Sequence, residues 1–266
     1  MNLRRSFAIF LRQVYLFRAS SNRWIIILFW TTADLIIWGF LTVYLARIGG
    51  ATFGFITILI GAVIFEHLMI LAQGGVGVSS MEDVWTKNFI NLFASPLKIK
   101  EYLVGLIMTS IVTTAIAVGF MGILAGIFFH YNLIQFGPAI VWYAAILFVF
   151  GVTLGMLALS IIIRFGPSAE TYVWIIPTAL APFSGVFYPI DTLPSYLQWF
   201  AQILPSSYVF EGMRSVVLTG SLDKPALFMG VVLAVIYFAL GYLLLRSQFR
   251  QALKKGLFPR FLTDSW

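Results

Sequence analysis

The chain has 266 residues, of which 61% are hydrophobic and 10% are charged, with a net charge of +7. Soluble globular domains are about half apolar and a quarter charged, so these values exclude an ordinary soluble enzyme and indicate that lipid solvates much of the surface. The chain has no cysteine, which excludes disulfides, thiolate catalysis and cysteine-bound metals.

The N-terminal segment, residues 1–23, is predicted to contain an amphipathic helix over residues 3–18. Its large apolar side chains recur at spacings of three and four, whereas Arg5 and Arg12 fall on the opposite face. Such a helix lies in the lipid headgroup plane, and the alternative is an extension of the first membrane span. The arginines before Trp24 leave no apolar core of the kind that a cleavable signal peptide needs. The apolar face consists of Leu3, Phe7, Phe10, Val14 and Phe17.

Six segments are apolar and long enough, or nearly so, for a membrane span, which needs about 20 residues. They are Trp24–Leu45, Phe53–Leu71, Tyr102–Phe129, Ala139–Ile163, Tyr172–Phe187 and Ala226–Leu245. The fifth is short, and an apolar stretch bracketed by prolines, Leu193–Leu204, follows it. Because proline interrupts a helix, this stretch predicts one or two re-entrant helices within an outer segment, residues 188–224, with a surface loop as the alternative. We therefore expect an all-α integral membrane protein with a single transmembrane domain over residues 1–266.

Orientation follows from the positions of the basic residues. All but three of the 17 Lys and Arg residues fall before the first span, between spans two and three or four and five, or in the tail at 246–266. Cytoplasmic loops of membrane proteins carry an excess of Lys and Arg, so both termini are predicted to be cytoplasmic and the number of spans to be even. This topology also explains the net positive charge without nucleic-acid binding. The residues on the outer side are Arg47, Arg214 and Lys224.

The longest predicted cytoplasmic connection is residues 72–101. A glycine run at 74–77 is expected to end the second span, and Ser79 or Ser80 to cap a separate short helix over Met81–Phe89. This helix combines acidic residues in its first turn with Trp85. It could dock into the groove of a partner protein or lie flat on the bilayer, and the local sequence leaves both interpretations open.

Three ionisable side chains fall inside predicted spans: Asp34, Glu66 and His67. An ionised group at the bilayer centre costs about 3 kcal/mol or more, so these residues are expected to face protein or water. They either contact a substrate or form a structural polar group. The sequence contains no P-loop, no HExxH and no GxSxG motif, so it offers no recognisable enzyme site. The Gly122/Gly126 and Gly151/Gly155 pairs are expected to pack spans within one subunit.

Two stretches near the C-terminal third carry a more specific pattern. Phe183–Pro194 reads FSGVFYPIDTLP, and Leu204–Arg214 reads LPSSYVFEGMR. Their order of Ser-Gly-x-Phe-x-Pro, Leu-Pro, a later Pro and Glu-x-x-Arg resembles the signature of ABC type-2 transporter permeases, a family of exporters of drugs, lipids, polysaccharides and nodulation factors. The run Leu92–Leu97 is similar to the segment after the coupling helix of that family. Glu211 and Arg214, three residues apart on one helix, are expected to form a local ion pair.

The resemblance implies a permease that is not an enzyme by itself and that works as two membrane subunits, here of identical sequence. A separate P-loop ATPase would bind ATP and Mg²⁺, this chain would hold no cofactor, and membrane lipids rather than nucleic acid would surround it. The coupling contact would consist of Ser80, Met81, Glu82, Asp83, Val84, Trp85 and Asn88. The substrate path or outer gate would involve Asp34, Glu66, His67, Phe183, Phe187, Tyr188, Leu193 and Trp199.

The expected function is therefore export of an amphipathic or lipid-linked substrate, such as a drug, a glycolipid or an oligo- or polysaccharide, across a bacterial inner membrane. One alternative is an ion-coupled carrier or channel, which would normally show more buried ionisable residues. The other is a lipid-modifying enzyme. Glu66 and His67 give that alternative little support, because adjacent residues on a helix point about 100° apart.

Overall fold

A computed structural model describes residues 2–49, 53–132 and 137–256, and all the regular structure in these ranges is helical, as predicted. The α-helices are α1 (Leu3–Ala19), α2 (Ser21–Gly49), α3 (Phe53–Trp85), α4 (Phe89–Ala94), α5 (Ile99–Phe129), α6 (Ala139–Phe165), α7 (Thr171–Leu180), α8 (Ser195–Gln202), α9 (Pro205–Thr219) and α10 (Lys224–Lys254). Short 3-10 turns occur at Pro167–Glu170, Ala181–Phe183 and Ile190–Thr192.

Five helices, α2, α3, α5, α6 and α10, are long and apolar enough to cross a membrane, and they contain five of the six predicted spans. The remaining predicted span, Tyr172–Phe187, is not one continuous helix. Its α-helical part, α7, has 10 residues or about 15 Å, and a 3-10 turn with Pro182 follows it. Because a membrane core is about 30 Å thick, α7 alone is too short to cross it.

Neighbouring helices define two ends of the bundle. α1 lies beside the C-terminal ends of α3, α6 and α10, where Phe249 and Ile163 join one apolar cluster with Tyr102. We name this the α1 end. At the opposite end, which we name the α9 end, Gly212 of α9 lies against the ring of Tyr143 in the first turns of α6.

The helices α6 and α10 run side by side in the same direction. Gly230 lies beside Ile146 near their N-terminal ends, and Gly241 lies beside Thr153 further along. Residues 166–223 therefore carry the chain from the α1 end back to the α9 end. α7 makes part of this return antiparallel to α3, because the side-chain amide of Gln73 donates to the carbonyl of Val173 at 2.9 Å.

The glycine run at 74–77 does not end the second span, which corrects the sequence prediction. α3 continues through it to Trp85. A Cβ atom at Gly75 would collide with Ser110 of α5, and one at Gly77 would crowd Val173 of α7. In a membrane bundle these glycines allow close helix packing instead of terminating the helix.

The same use of glycine is seen in α6, where the expected packing within the subunit is confirmed for one of the two glycine pairs. Gly151 and Gly155 lie against the backbone carbonyls of Met69 and Gln73 in α3, which leaves no room for a side chain. By contrast, the nearest atom of another described segment to a Cβ at Gly126 is the carbonyl oxygen of Tyr131, just beyond its own helix, at 3.6 Å.

The prediction of a separate cytoplasmic helix at Met81–Phe89 is also wrong. Residues up to Trp85 belong to α3, and Ser80 donates its hydroxyl to the carbonyl of Gly77 within that helix instead of capping a new one. The chain turns at residues 86–88 and forms the short helix α4. A turn at Ser95 and Pro96 separates α4 from α5.

α1 is a helix of its own, separated from α2 by an extended Ser20. It packs on α5 through Ile9, which lies against Gly105. Leu3 and Phe7, from the predicted apolar face, are 68% and 51% exposed, so the N-terminal half of this face points away from the protein, whereas Phe10, Val14 and Phe17 are half-buried. An outward apolar face suits a lipid surface, and the interfacial position remains a prediction. The stretch Leu193–Leu204 contains one short helix, α8, and its re-entrant depth likewise stays a prediction.

Candidate functional site

A cavity of about 380 Å³ lies between α2, α3 and the chain that follows α7. This volume is within the range of small-molecule pockets, which are roughly 300–1,000 Å³. Its lining combines two carboxylates and a histidine with aromatic and aliphatic side chains. The lining residues are Asp34, Trp38, Val63, Glu66, His67, Ile70, Thr178, Ala181, Pro182, Phe187 and Tyr188.

Helical periodicity explains which residues of α3 reach the cavity. Val63, Glu66, His67 and Ile70 are spaced at three, four and seven residues, so they form one stripe on the helix. Glu66 and His67 flank this stripe from its two sides, which is why neighbouring residues pointing about 100° apart both line the same cavity.

The polar groups of the cavity differ in their partners. Nε2 of His67 lies 3.3 Å from Oδ2 of Asp34, which joins α3 to α2. His67 is 8% exposed, so its ring is largely enclosed by the protein. Within the same described ranges, Glu66 makes no hydrogen bond and no ion pair, although it lines the cavity beside this pair. The cavity therefore contains polar atoms that the protein itself leaves unused.

Aromatic rings also line the cavity. Trp38 of α2 and Phe187 stack with their centroids 4.2 Å apart and their planes inclined by 18°. The hydroxyl of Tyr188 donates to the carbonyl of Pro182 at 2.7 Å, which holds the tyrosine against the end of the α7 segment. Two aromatic rings and a phenol thus share the cavity with the carboxylates.

The loop that carries Phe187 and Tyr188 is held by α9. The expected ion pair of Glu211 and Arg214 is confirmed, with 3.0 Å between Oε1 and Nη1. Arg214 also donates to the carbonyl of Gly185 and, at 3.2 Å, to that of Val186, while Glu211 accepts the N–H of Ile190 at 2.8 Å. Burial lowers the pKa of Arg214 below its usual value, and the Glu211 charge opposes this shift.

Further residues of the sequence signature support the same loop. The hydroxyls of Ser184 and Ser206 are 2.8 Å apart, and Ser207 donates to the carbonyl of Phe183 at 3.3 Å. Gly185 has a φ of 70°, a conformation that favours glycine. The separate pieces of the signature are thus parts of one hydrogen-bonded unit, which sequence spacing alone did not reveal.

The structure brings together five of the eight residues predicted for the path or gate, namely Asp34, Glu66, His67, Phe187 and Tyr188. The other three do not line the cavity. Phe183 packs edge-to-face on Phe200 with 5.2 Å between centroids, Trp199 is 61% exposed, and the carbonyl of Leu193 accepts from Gln198. Their assignment to an outer gate remains a prediction. Trp38 belongs to the cavity and was missed, although its position four residues after Asp34 places it on the same helix face.

The predicted coupling residues lie at the α1 end of α3, and most of them are buried within this chain. Ser80, Met81, Asp83 and Val84 are at most 2% exposed. Trp85 is 39% exposed and leads into an exposed turn. Glu82 and Asn88 are half-buried. A direct contact with a partner is therefore open to Trp85 and the following turn more than to the four buried side chains.

Two arginines of the N-terminal region hold the acidic residues of this segment, an interaction that the sequence analysis missed. Arg12 of α1 forms an ion pair with Asp83, whose other carboxylate oxygen accepts the hydroxyl of Tyr102 at 2.8 Å. Arg23 pairs with Glu82 at 2.9 Å. Burial lowers the pKa of Arg12, but the hydrogen bond and charge of Asp83 outweigh it and raise the pKa above its usual value. We name these two ion pairs the N-terminal clasp.

A further polar contact joins the start of α1 to α5. Glu101 accepts the backbone N–H of Asn2 at 2.7 Å and that of Lys98 at 3.1 Å. Arg5 lies 3.6 Å from the same carboxylate. α1 is therefore tied to both α3 and α5 through charged side chains that face inward.

The exposed tryptophan links the end of α3 to the return segment. Nε1 of Trp85 donates to the carboxylate of Glu170 at 3.1 Å, in the 3-10 turn immediately before α7. α7 and the residues after it contribute Thr178, Ala181 and Pro182 to the cavity. The α1 end thus connects to the cavity along two routes, α3 itself and α7.

Comparison with known proteins agrees with this arrangement. No curated protein matches the sequence. The model of the ABC-2 type transporter family matches residues 7–218, which is more than half of the chain and includes most of α1, the cavity, the clasp and the loop held by α9. Members of this family are membrane components of transporters that work with an ABC ATPase and do not themselves carry the catalytic site. The chain belongs to the ABC-2 type transporter family and is a multi-pass permease subunit of an ABC transporter.

Proposed function

We propose that the chain is the permease of an ATP-driven exporter, working as a dimer and moving an amphipathic or lipid-linked substrate from the cytoplasm or the inner leaflet. Drugs, glycolipids and oligo- or polysaccharides belong to this class. ATP and Mg²⁺ are bound by a separate P-loop ATPase, and the permease supplies the path. The observation that carries this proposal is the continuity of α3 between an exposed end and the polar cavity.

α3 is one helix from Phe53 to Trp85, and Glu66 lies 19 residues before its exposed end. This separation corresponds to about 28 Å along the helix axis. Because a continuous helix moves as a rigid element, a displacement at Trp85 also moves Glu66 and His67 relative to α2. The hydrogen bond from Trp85 to Glu170 carries the same displacement to α7.

The contact with the ATPase is proposed at Trp85, the turn at residues 86–88 and α4. Trp85, Thr86 and Lys87 are exposed, as is Asn91 on α4. Exposed tryptophans are frequent anchors of protein interfaces. The buried members of the predicted coupling set hold α3 to α1 instead, so the clasp fixes the position of the docking surface relative to α1.

The exposure of a carboxylate within a membrane span supports the proposed dimer. The side chain of Asp34 is 38% exposed, in a helix that is otherwise long and apolar enough to span the membrane. Facing a carboxylate towards lipid costs about 3 kcal/mol or more. A second copy of the chain placed over this face would enclose a watery path and keep Asp34 and Glu66 from lipid.

In the proposed topology, the chain crosses the membrane six times. α2, α3, α5, α6 and α10 make five, and residues 166–223 make the other, because they return from the α1 end to the α9 end. We place the α1 end and both termini in the cytoplasm of a bacterium, as the distribution of Lys and Arg indicates. The loop held by α9, together with Phe183, Leu193 and Trp199, then forms the outer gate.

The direct test is affinity purification of the tagged full chain from its native membrane in a mild detergent, with partners identified by mass spectrometry. We expect a P-loop ATPase in about equal amount. Trp85→Ala should lower the ATPase recovered per permease about tenfold, because it removes the anchor of the interface. The matched control is Trp142→Ala, since Trp142 is 56% exposed and lies in the first turn of α6, at the α9 end.

The outcomes separate two claims. A wild-type chain that purifies without any ATPase contradicts the exporter proposal. Equal recovery of the ATPase with both tryptophan variants contradicts only the docking role of Trp85. Size-exclusion profiles of the two variants check that neither substitution unfolds the chain.

A further inference from the structure

We propose that the cavity between α2, α3 and the α7 segment binds amphipathic organic cations, with the cationic group held between the carboxylates of Asp34 and Glu66 and the rings of Trp38 and Phe187. This inference rests on the proposed function and narrows its substrate class. An anionic carrier lipid or a phosphate-linked sugar would not be held at this site.

The charge of the lining is the first reason. The cavity has two carboxylates, and neither Lys nor Arg is among its lining residues. α3 contains no Lys or Arg, and the nearest arginines on α2, Arg23 and Arg47, are at least 11 residues from Asp34, about 16 Å or more along the helix. Arg214, behind the loop, is already bonded to Glu211 and to two carbonyls.

Unused hydrogen-bonding capacity is the second reason. Glu66 lines the cavity and makes no hydrogen bond or ion pair with any described residue. Polar groups inside proteins are nearly always satisfied, so a carboxylate that the protein leaves open within a cavity points to a bound molecule that completes it.

The aromatic wall is the third reason. The faces of aromatic rings attract cations, and tryptophan does so most strongly. Trp38, one turn after Asp34 on α2, stacks on Phe187, and both rings line the same cavity as the carboxylates. Val63, Ile70 and Pro182 provide apolar surface for the hydrocarbon part of the ligand. Carboxylates, ring faces and aliphatic groups together match a lipophilic cation and repel an anion of the same size.

Tetraphenylphosphonium and tetraphenylborate test this inference, because they share size and shape and carry opposite charges. The full chain is reconstituted with its copurified ATPase in nanodiscs of zwitterionic lipid, and equilibrium binding of each ion is measured. We expect saturable binding of tetraphenylphosphonium that is at least about tenfold tighter than that of tetraphenylborate. Asp34→Asn and Glu66→Gln should each weaken the binding of the cation about tenfold.

The control variant is Asp191→Asn, since Asp191 is an exposed carboxylate away from the cavity, and it should leave the binding unchanged. A second measurement needs no substitution: tetraphenylphosphonium should protect Glu66 of the wild-type chain from modification by dicyclohexylcarbodiimide, detected by mass spectrometry, and tetraphenylborate should not. Equal binding of the two ions, tighter binding of the anion, or cation binding that the Asp34 and Glu66 variants and the carbodiimide do not affect would overturn the inference. Copurification of the ATPase together with such a result would leave the exporter proposal intact.

Discussion

Two regions of α3 carry acidic side chains, and their surroundings differ. At the α1 end, Asp83 and Glu82 are paired with Arg12 and Arg23. In the cavity, Glu66 has no partner among the described residues, although it lies on the same helix. A buried carboxylate that is matched by an arginine holds helices together, whereas one that is left unmatched costs stability and is retained where it meets a ligand. The comparison supports an architectural role for the clasp and the binding role that we propose for the cavity.

The largest effect on stability is expected at the clasp. Asp83→Leu should lower the free energy of unfolding by about 2 kcal/mol, because it leaves the charge of Arg12 and the hydroxyl of Tyr102 without a partner. The measurement is denaturation of the purified chain by increasing SDS in mixed micelles. Reversing the charge of Asp83 would for the same reason disturb folding as well as any coupling role. An unchanged unfolding curve would show that the clasp does not stabilise the fold.

A second effect is expected where α9 holds the loop. Arg214→Met keeps an unbranched apolar stem but leaves two carbonyls and Glu211 without their donor. We expect a loss of about 1–2 kcal/mol of unfolding free energy, less than at the clasp because Glu211 is about one-third exposed and can be solvated. Limited proteolysis within residues 183–193 should also become faster. Cleavage at the wild-type rate would show that the loop does not depend on Arg214.

The smallest effect on stability is expected in the cavity. Glu66→Leu should leave the free energy of unfolding within about 0.5 kcal/mol of the wild type or raise it, because no charged partner is lost and an unpaired carboxylate is removed. The same SDS titration serves both leucine variants, so Glu66→Leu is the matched control for Asp83→Leu. A loss as large as that at Asp83 would mean that Glu66 has a structural role and would end the distinction between the two regions.

The sequence predicted much of the fold for reasons that are local. Hydropathy over about 20 residues identifies a membrane helix without knowledge of its neighbours, and five such helices are present where they were predicted. The i, i+3 spacing of Glu211 and Arg214 likewise predicted their ion pair correctly. The errors occurred where local signals have two meanings. Glycines at 74–77 are compatible with a helix end and with close helix packing, and only the position of Ser110 decides between them.

The cavity was predicted in part. Asp34, Glu66 and His67 were identified because ionisable groups are rare in membrane spans, and the signature motif led to Phe187 and Tyr188. Trp38 could have been added from its spacing to Asp34. Phe183 and Leu193 were included because they belong to the same motif, and Trp199 because it lies in the predicted re-entrant stretch. Proximity along the chain does not bring these side chains to the cavity.

The sequence by itself determined that this protein is an all-helical membrane protein of the ABC-2 type, because composition, hydropathy and motif order are properties of the chain alone. Only the tertiary structure decided that Arg12 holds Asp83, that α3 runs unbroken from the clasp to the cavity, and that α7 is too short to be a complete span. Pairing between residues 71 positions apart depends on how helices pack, and packing is set by the contacts of all the helices together.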